Sequence, residues 1–200
     1  MDEEIEKQLK SNVEPMLQKG RGGDWEHTLR TIKYARYLLQ HEEGEEEIVI
    51  PTLYLHDIGW SQVNLKDFLN APTAQKNRTR SALLHMKYGA DLAKGILNKL
   101  GFGREVSQRI VSIIAIHDEP EKVFAMKDPS ATLVVEADRL DRYGPGSIIR
   151  FSDMFGLTYL MDEQRKEAID YLMYGLKIWF KTQTARILAE KMAREQGLFD

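Results

Sequence analysis

Along most of this chain apolar residues recur at spacings of three and four, and runs that alternate apolar with polar are nearly absent. That pattern lays an apolar stripe along one side of a helix and gives a strand no single buried face, so the chain is predicted to be all-α. Ile5, Leu9, Val13, Met16 and Leu17 mark a helical segment over 2–19. Pro15 is expected to divide it, because proline lacks the N–H and crowds the preceding turn. After Gly20-Arg21-Gly22-Gly23, Asp24 is placed to cap a second helix that stops near Gly44, with Trp25, Leu29, Ile32, Ala35 and Leu39 inside. A third helix is expected over about 46–58, with Gly59 as its stop. Periodicity then fails over 61–80, about 20 residues, a length that in a folded domain usually carries function. Helices are predicted again over 81–100, 104–118, 130–143 and 146–155, and one long or two shorter ones over 162–196. Tyr171, Leu172, Leu176, Trp179, Phe180, Ile187 and Leu188 should pack that last segment onto the body.

With 200 residues, 42% of them hydrophobic, and no linker or repeat, the chain reads as one domain spanning 1–200. A net charge of -3 and a pI near 6.0 give no electrostatic case for a nucleic-acid polymer or an anionic membrane as partner. The absence of cysteine excludes disulfides, zinc–thiolate sites and thiol nucleophiles. No run approaches the roughly 18 apolar residues of a membrane span, and no apolar leader opens the chain, so a cytoplasmic location is expected. The amphipathic C-terminal segment suits either a homo-oligomer contact or a cover for the core.

Burying an unpaired carboxylate or imidazolium costs several kcal/mol, so polar residues on apolar stripes are the informative ones. One stripe runs Val49, Leu53, His56; another His85, Gly89, Leu92, Ile96; a third Val106, Ile110, Ile113, His117. His27 shares a face with Tyr34 and Leu38, and Val134 and Val135 lead to Asp138. A helical bundle builds a metal site in its core from such inward-facing residues. His41, among Gln40, Glu42 and Glu43, reads as surface. No Ser or Thr has the setting of a nucleophile and no glycine-rich loop has phosphate-cradle spacing, so catalysis would rest on the metal. Imidazole and carboxylate without thiolate suit Mn, Fe, Co, Ni or Zn.

His27, the His56-Asp57 doublet, His85, His117 and Asp138 stand in the order His, His-Asp, His, His, Asp, and in this the chain resembles the HD-domain metal-dependent phosphohydrolases. The strings LYLHDIG, HMKYGADLAKGIL and VVEADRLDRYG are similar to family segments, the last most like small stand-alone members, among them nucleotide pyrophosphohydrolases. The match covers about 24–155, leaving 156–200 as a helical segment packed on it. The resemblance implies that His27, His56, Asp57 and Asp138 hold a first metal, and that His85 and His117, with Asp57 bridging, hold a second in members that carry two. Gly59, Trp60, Ser61 and Gln62 stand where guanosine tetraphosphate hydrolases place a Glu-Asp pair, which argues against alarmone hydrolysis.

The expected activity is hydrolysis of a small phosphate ester or nucleotide by metal-activated water, with Asp57 orienting the water and Arg139 and Arg80 steadying the developing charge. Arg78, Arg80, Lys87, Arg142 and Trp60 are the candidate substrate contacts, and Asp118 either orients a ligand histidine or caps a helix. The resemblance leaves two alternatives, a di-iron oxygenase of the same fold and a non-catalytic metal- or nucleotide-binding module.

Overall fold

The computed structural model describes residues 1–145 and 162–197, and its first helix, α1 (Glu3–Lys19), is unbroken. Pro15 sits inside it on the exposed side, where the carbonyl it leaves unpaired can be met by water, so the expected break does not occur. Asp2 caps the helix, its carboxylate accepting from the N–H groups of Glu4 and Ile5.

Helix α2 spans Asp24–Leu38 and ends short of Gly44, the chain leaving it through a turn over 39–43. Its cap is Gly23, in the left-handed region at φ 77, and not Asp24. Asp24 turns back instead, its carboxylate accepting from the Arg21 backbone N–H at 2.8 Å and the Arg21 Nε–H at 3.0 Å.

Helix α3 (Glu46–Leu55) is the axis of the molecule. Every residue from Ile48 to Leu55 is buried, and α1 and α2 pack against it. Burial of each large aliphatic side chain there contributes about 1.5–3 kcal/mol. Both hydroxyls in that run are satisfied, Thr52 donating to the Ile48 carbonyl at 2.6 Å and Tyr54 to the Glu6 carboxylate at 2.7 Å. The helix ends three residues earlier than its periodicity suggests. Asp57 lies at φ -101, ψ 1, outside helical geometry, and a 3-10 turn over Ile58–Gln62 follows.

Two short elements occupy the stretch read as a loop: α4 (Lys66–Asn70) and a 3-10 turn over Thr73–Arg78. They hold together locally, with Lys76 Nζ donating to the Phe68 carbonyl at 2.9 Å and its ammonium 4.9 Å from the Phe68 ring centroid. Helix α5 (Arg80–Lys99) is capped by Thr79, and α6 (Arg104–Ile114) packs beside it and against α3. Helix α6 stops before His117, a turn carries 115–118, and a short α7 (Pro120–Ala125) that periodicity did not reveal opens on its proline. Helix α8 (Pro129–Leu140) packs on α2 and α3, capped by the Asp128 carboxylate, and runs into a 3-10 turn over Asp141–Tyr143.

The helix expected over 146–155 lies outside the described residues. Beyond it the C-terminal segment is two helices, α9 (Asp162–Ile178) and α10 (Gln183–Glu195). Buried Glu136 of α8 ties down the turn between them, accepting from the N–H of Lys181 at 2.5 Å, the N–H of Thr182 at 2.7 Å and the Thr182 hydroxyl at 2.6 Å. No strand occurs among the described residues, and no helix among them is long and apolar enough to cross a membrane.

Candidate metal centre

The His56-Asp57 doublet reaches its partners because Gly59 lets backbones touch. A Cβ on Gly59 would overlap the His85 carbonyl and the Gly89 nitrogen of α5, so the turn after the doublet can lie directly on that helix only as glycine. Four imidazoles thereby converge, His27 from α2, His56 from the end of α3, His85 from α5 and His117 from the turn after α6, all buried.

Their outer nitrogens determine which way the inner ones point. His56 Nδ1 is 2.7 Å from the Leu53 carbonyl and His117 Nδ1 is 2.8 Å from the Ile114 carbonyl. A carbonyl only accepts, so each Nδ1 carries a proton and each neutral ring turns an Nε2 lone pair inward. His27 Nδ1 meets the Asp141 carboxylate at 2.7 Å, with the same consequence. Asp141 in turn accepts from Arg30 at 2.7 and 3.0 Å. Nε2 of His27 and Nε2 of His56 lie 3.4 Å apart, and Nε2 of His85 and Nε2 of His117 lie 3.3 Å apart. Two bare lone pairs would repel at that distance, so each pair shares either a proton or a cation.

Asp57 stands between the pairs. Its Oδ2 is 3.4 Å from His56 Nε2 and 3.8 Å from His27 Nε2, while its Oδ1 is 3.6 Å from the Nε2 atoms of both His85 and His117. Asp138 Oδ1 adds a carboxylate to the first pair, 3.0 Å from His27 and 3.8 Å from His56. Two buried groups of ligand atoms result, His27 with His56 and Asp57, and Asp57 with His85 and His117, each with its atoms within 4.8 Å of one another. Nitrogen and carboxylate donors in that number fit a divalent transition metal. Electrostatics agree. Burial opposes charge on His56, but Asp57 and Asp138 outweigh it and push the imidazole up to about 9, so a proton answers the demand for a cation. Burial and the facing His117 push His85 down to about 3. Burial also opposes charge on the carboxylates, yet Arg21 and His56 hold Asp57, and Arg139 and His27 hold Asp138, well below the ordinary range.

Of the other residues singled out in the sequence, Trp60 and Arg139 adjoin this centre. Trp60 is 1% exposed and its Nε1–H donates to Asp57 Oδ1 at 3.0 Å. Arg139 is fully buried, donating through Nη1 to Asp138 Oδ2 at 2.7 Å and through Nη2 to Asp118 Oδ1 at 2.9 Å. Arg142 is partly buried, with Nη2 3.9 Å from Asp118 Oδ1 and its guanidinium 5.4 Å from the Trp179 ring centroid. Arg78, Arg80 and Lys87 are exposed. Lys87 lies about 200° around α5 from His85, which points it away from the cluster.

Two contributors escaped the sequence reading. Arg21, 8% exposed, donates to Asp57 Oδ2 as well as to Asp24, and its guanidinium lies 4.2 Å from the Trp60 ring centroid. Inside a glycine cluster it resembled a linker residue, and only its spacing of three from Asp24 hinted at a pair. Asp141 follows Asp138 by three residues, which on a helix places both on one face.

The HD domain family model matches residues 24–143, and the chain belongs to that family. Among solved structures it is similar to an HD-superfamily hydrolase of Bacillus thuringiensis, with 26% identity, 98% of this chain and 93% of that chain covered, and a TM-score of 0.59. It shares its fold with YpgQ of Bacillus subtilis in complex with ADP, at 24% identity, with coverage of 92% and 90% and a TM-score of 0.59. No curated protein matches the chain significantly.

Proposed function

We propose that this protein is a metal-dependent phosphohydrolase with two metal ions, acting on a small phosphate ester or a nucleotide. The observation that carries the reading is the pair of facing imidazole couples on the two oxygens of one buried carboxylate. His27, His56, Asp57 and Asp138 hold the first ion, and Asp57, His85 and His117 the second. When bound, divalent ions lower the pKa of coordinated water to about 7 and neutralise charge on phosphoryl oxygens.

The chain's own residues do the rest. The Leu53 and Ile114 carbonyls and Asp141 hold the imidazoles in the tautomer that turns Nε2 inward. Trp60 and Arg21 pin the two oxygens of Asp57. Arg142, with a side chain 21% exposed beside Asp118, is the arginine we assign to a phosphate oxygen. The ADP bound by YpgQ supports a nucleotide as the substrate class.

A phosphate-release and nucleotide-product screen with Mn, Co, Ni and Mg tests the reading, run with and without oxygen. Hydrolysis that persists without oxygen and disappears together with bound metal in Asp57→Ala is expected. Oxygen uptake without phosphate release would assign the centre to oxidation, and full hydrolysis by metal-free Asp57→Ala would overturn the mechanism.

A further inference from the structure

The two halves of the centre differ by one carboxylate in the ligand set above, and the structure supplies the missing one. We propose that Asp118 is a ligand of the second ion, the counterpart of Asp138 at the first, and that Arg139 is the positioning residue that aims both; this rests on the two-ion reading.

Three observations carry it. The first is the fork of Arg139, whose Nη1 holds the outer oxygen of Asp138 and whose Nη2 holds the outer oxygen of Asp118, at 2.7 and 2.9 Å. Each carboxylate is left with one oxygen directed at an imidazole nitrogen of the centre. For Asp138 that is Oδ1, 3.0 Å from His27 Nε2, and for Asp118 it is Oδ2, 3.6 Å from His85 Nε2. The Asp118 distance equals that from Asp57 Oδ1 to the same nitrogen, 3.6 Å.

The second is a repeat of local construction. His56-Asp57 and His117-Asp118 are both His-Asp doublets just beyond a helix end, and in both the histidine Nδ1 donates to the carbonyl three residues earlier. In the first doublet the carboxylate enters the centre, and in the second it presents an oxygen to His85.

The third is the state of Asp118 itself. Its side chain is 9% exposed, and among the described residues no hydrogen bond reaches Oδ2. A buried carboxylate with one oxygen pinned and the other bare has coordination capacity to offer, and a cation on the His85–His117 side is the species that would use it.

The test is Mn titration of the full chain by calorimetry, with bound metal counted by elemental analysis. Wild type should take up two Mn per chain. Asp118→Asn should keep the first and bind the second at least 10-fold more weakly, as His85→Gln should, while Asp138→Asn should weaken the first. Two ions bound by Asp118→Asn with both affinities unchanged, whatever its melting temperature, would overturn the role of Asp118 and leave the two-ion reading intact. A wild type that binds only one ion would overturn both. Should the variants fail to fold, zinc-soaked crystals of wild type decide, through anomalous diffraction. Asp118 Oδ2 at about 2.0–2.2 Å from the second peak supports the assignment, and an oxygen beyond bonding distance removes it.

Discussion

The indole of Trp60 lies flat on the His85 imidazole, ring centroids 4.1 Å apart and planes 13° apart, and the same indole donates to Asp57. One side chain thus fixes the plane of one proposed ligand and the orientation of another. Trp60→Phe keeps an aromatic face but removes the donor, and should weaken Mn binding about 10-fold or more with the fold retained. Trp60→Ala also empties a core position and should cost about 3–5 kcal/mol of stability. Titration calorimetry beside thermal melts separates the two effects, and equal Mn affinity in Trp60→Phe and wild type would deny the hydrogen bond any part in positioning Asp57.

Asp141 sets the tautomer of His27 from outside the centre. Asp141→Asn can keep the shape, but its amide no longer requires the Nδ1–H form and no longer balances Arg30. Affinity for the first ion should fall about 10- to 100-fold while the second is little changed. Loss confined to the second ion would contradict the assignment of His27.

At Gly59 the obstacle to a side chain is backbone, the His85 carbonyl and the Gly89 nitrogen, and backbone cannot rotate aside. Gly59→Ala should therefore cost about 3 kcal/mol or more and lower the melting temperature by about 6–12 °C, with metal binding impaired through displacement of α5. A melting temperature within about 1 °C of wild type, on the scale that a few tenths of a kcal/mol would produce, would mean that the turn and helix separate freely.

Acid should loosen α1 first. Glu6 accepts from Tyr54 Oη–H at 2.7 Å and Arg36 Nη2–H at 2.6 Å, and lies 3.2 Å from Lys10 Nζ. Burial works against its charge, but these partners hold the carboxyl below its ordinary value. A lowered folded-state value means stability that is present above about 4.5, the ordinary value, and is lost as pH falls through the folded one. Glu6→Gln should flatten that acid limb of melting temperature against pH and leave the neutral region less stable than wild type. Identical acid limbs would exclude Glu6 as a contributor.

Much of this was legible before any coordinates. Stripes of period three and four mark α2, α3, α5, α6 and α8, and the polar residues that interrupt them, His27, His56, His85, His117 and Asp138, are the ones the fold gathers. Periodicity reports which face of a helix is inward, so it finds residues whose side chains are carried by helices. It is blind to Arg21, which arrives from a glycine turn, and to the pairing of Arg139 with Asp118, which depends on how α8 meets the turn after α6. It misjudged ends for a related reason. His56 and His117 continue the stripes of α3 and α6 although the helices stop before them, because a residue just past a helix end still projects near the helical face while its backbone turns away. Periodicity likewise says nothing about which way Arg78, Arg80 and Lys87 point, and the fold leaves all three exposed.

The burial of α3 from Ile48 to Leu55 carries a consequence for how the centre can be lost. Its amide protons from Leu53 to Leu55 should be among the slowest to exchange, and the doublet that follows them is anchored to a segment expected to open only with the whole molecule. An ion held there is linked to global unfolding, and each tenfold rise in its free concentration above the dissociation constant adds about 1.4 kcal/mol to the stability of the entire chain.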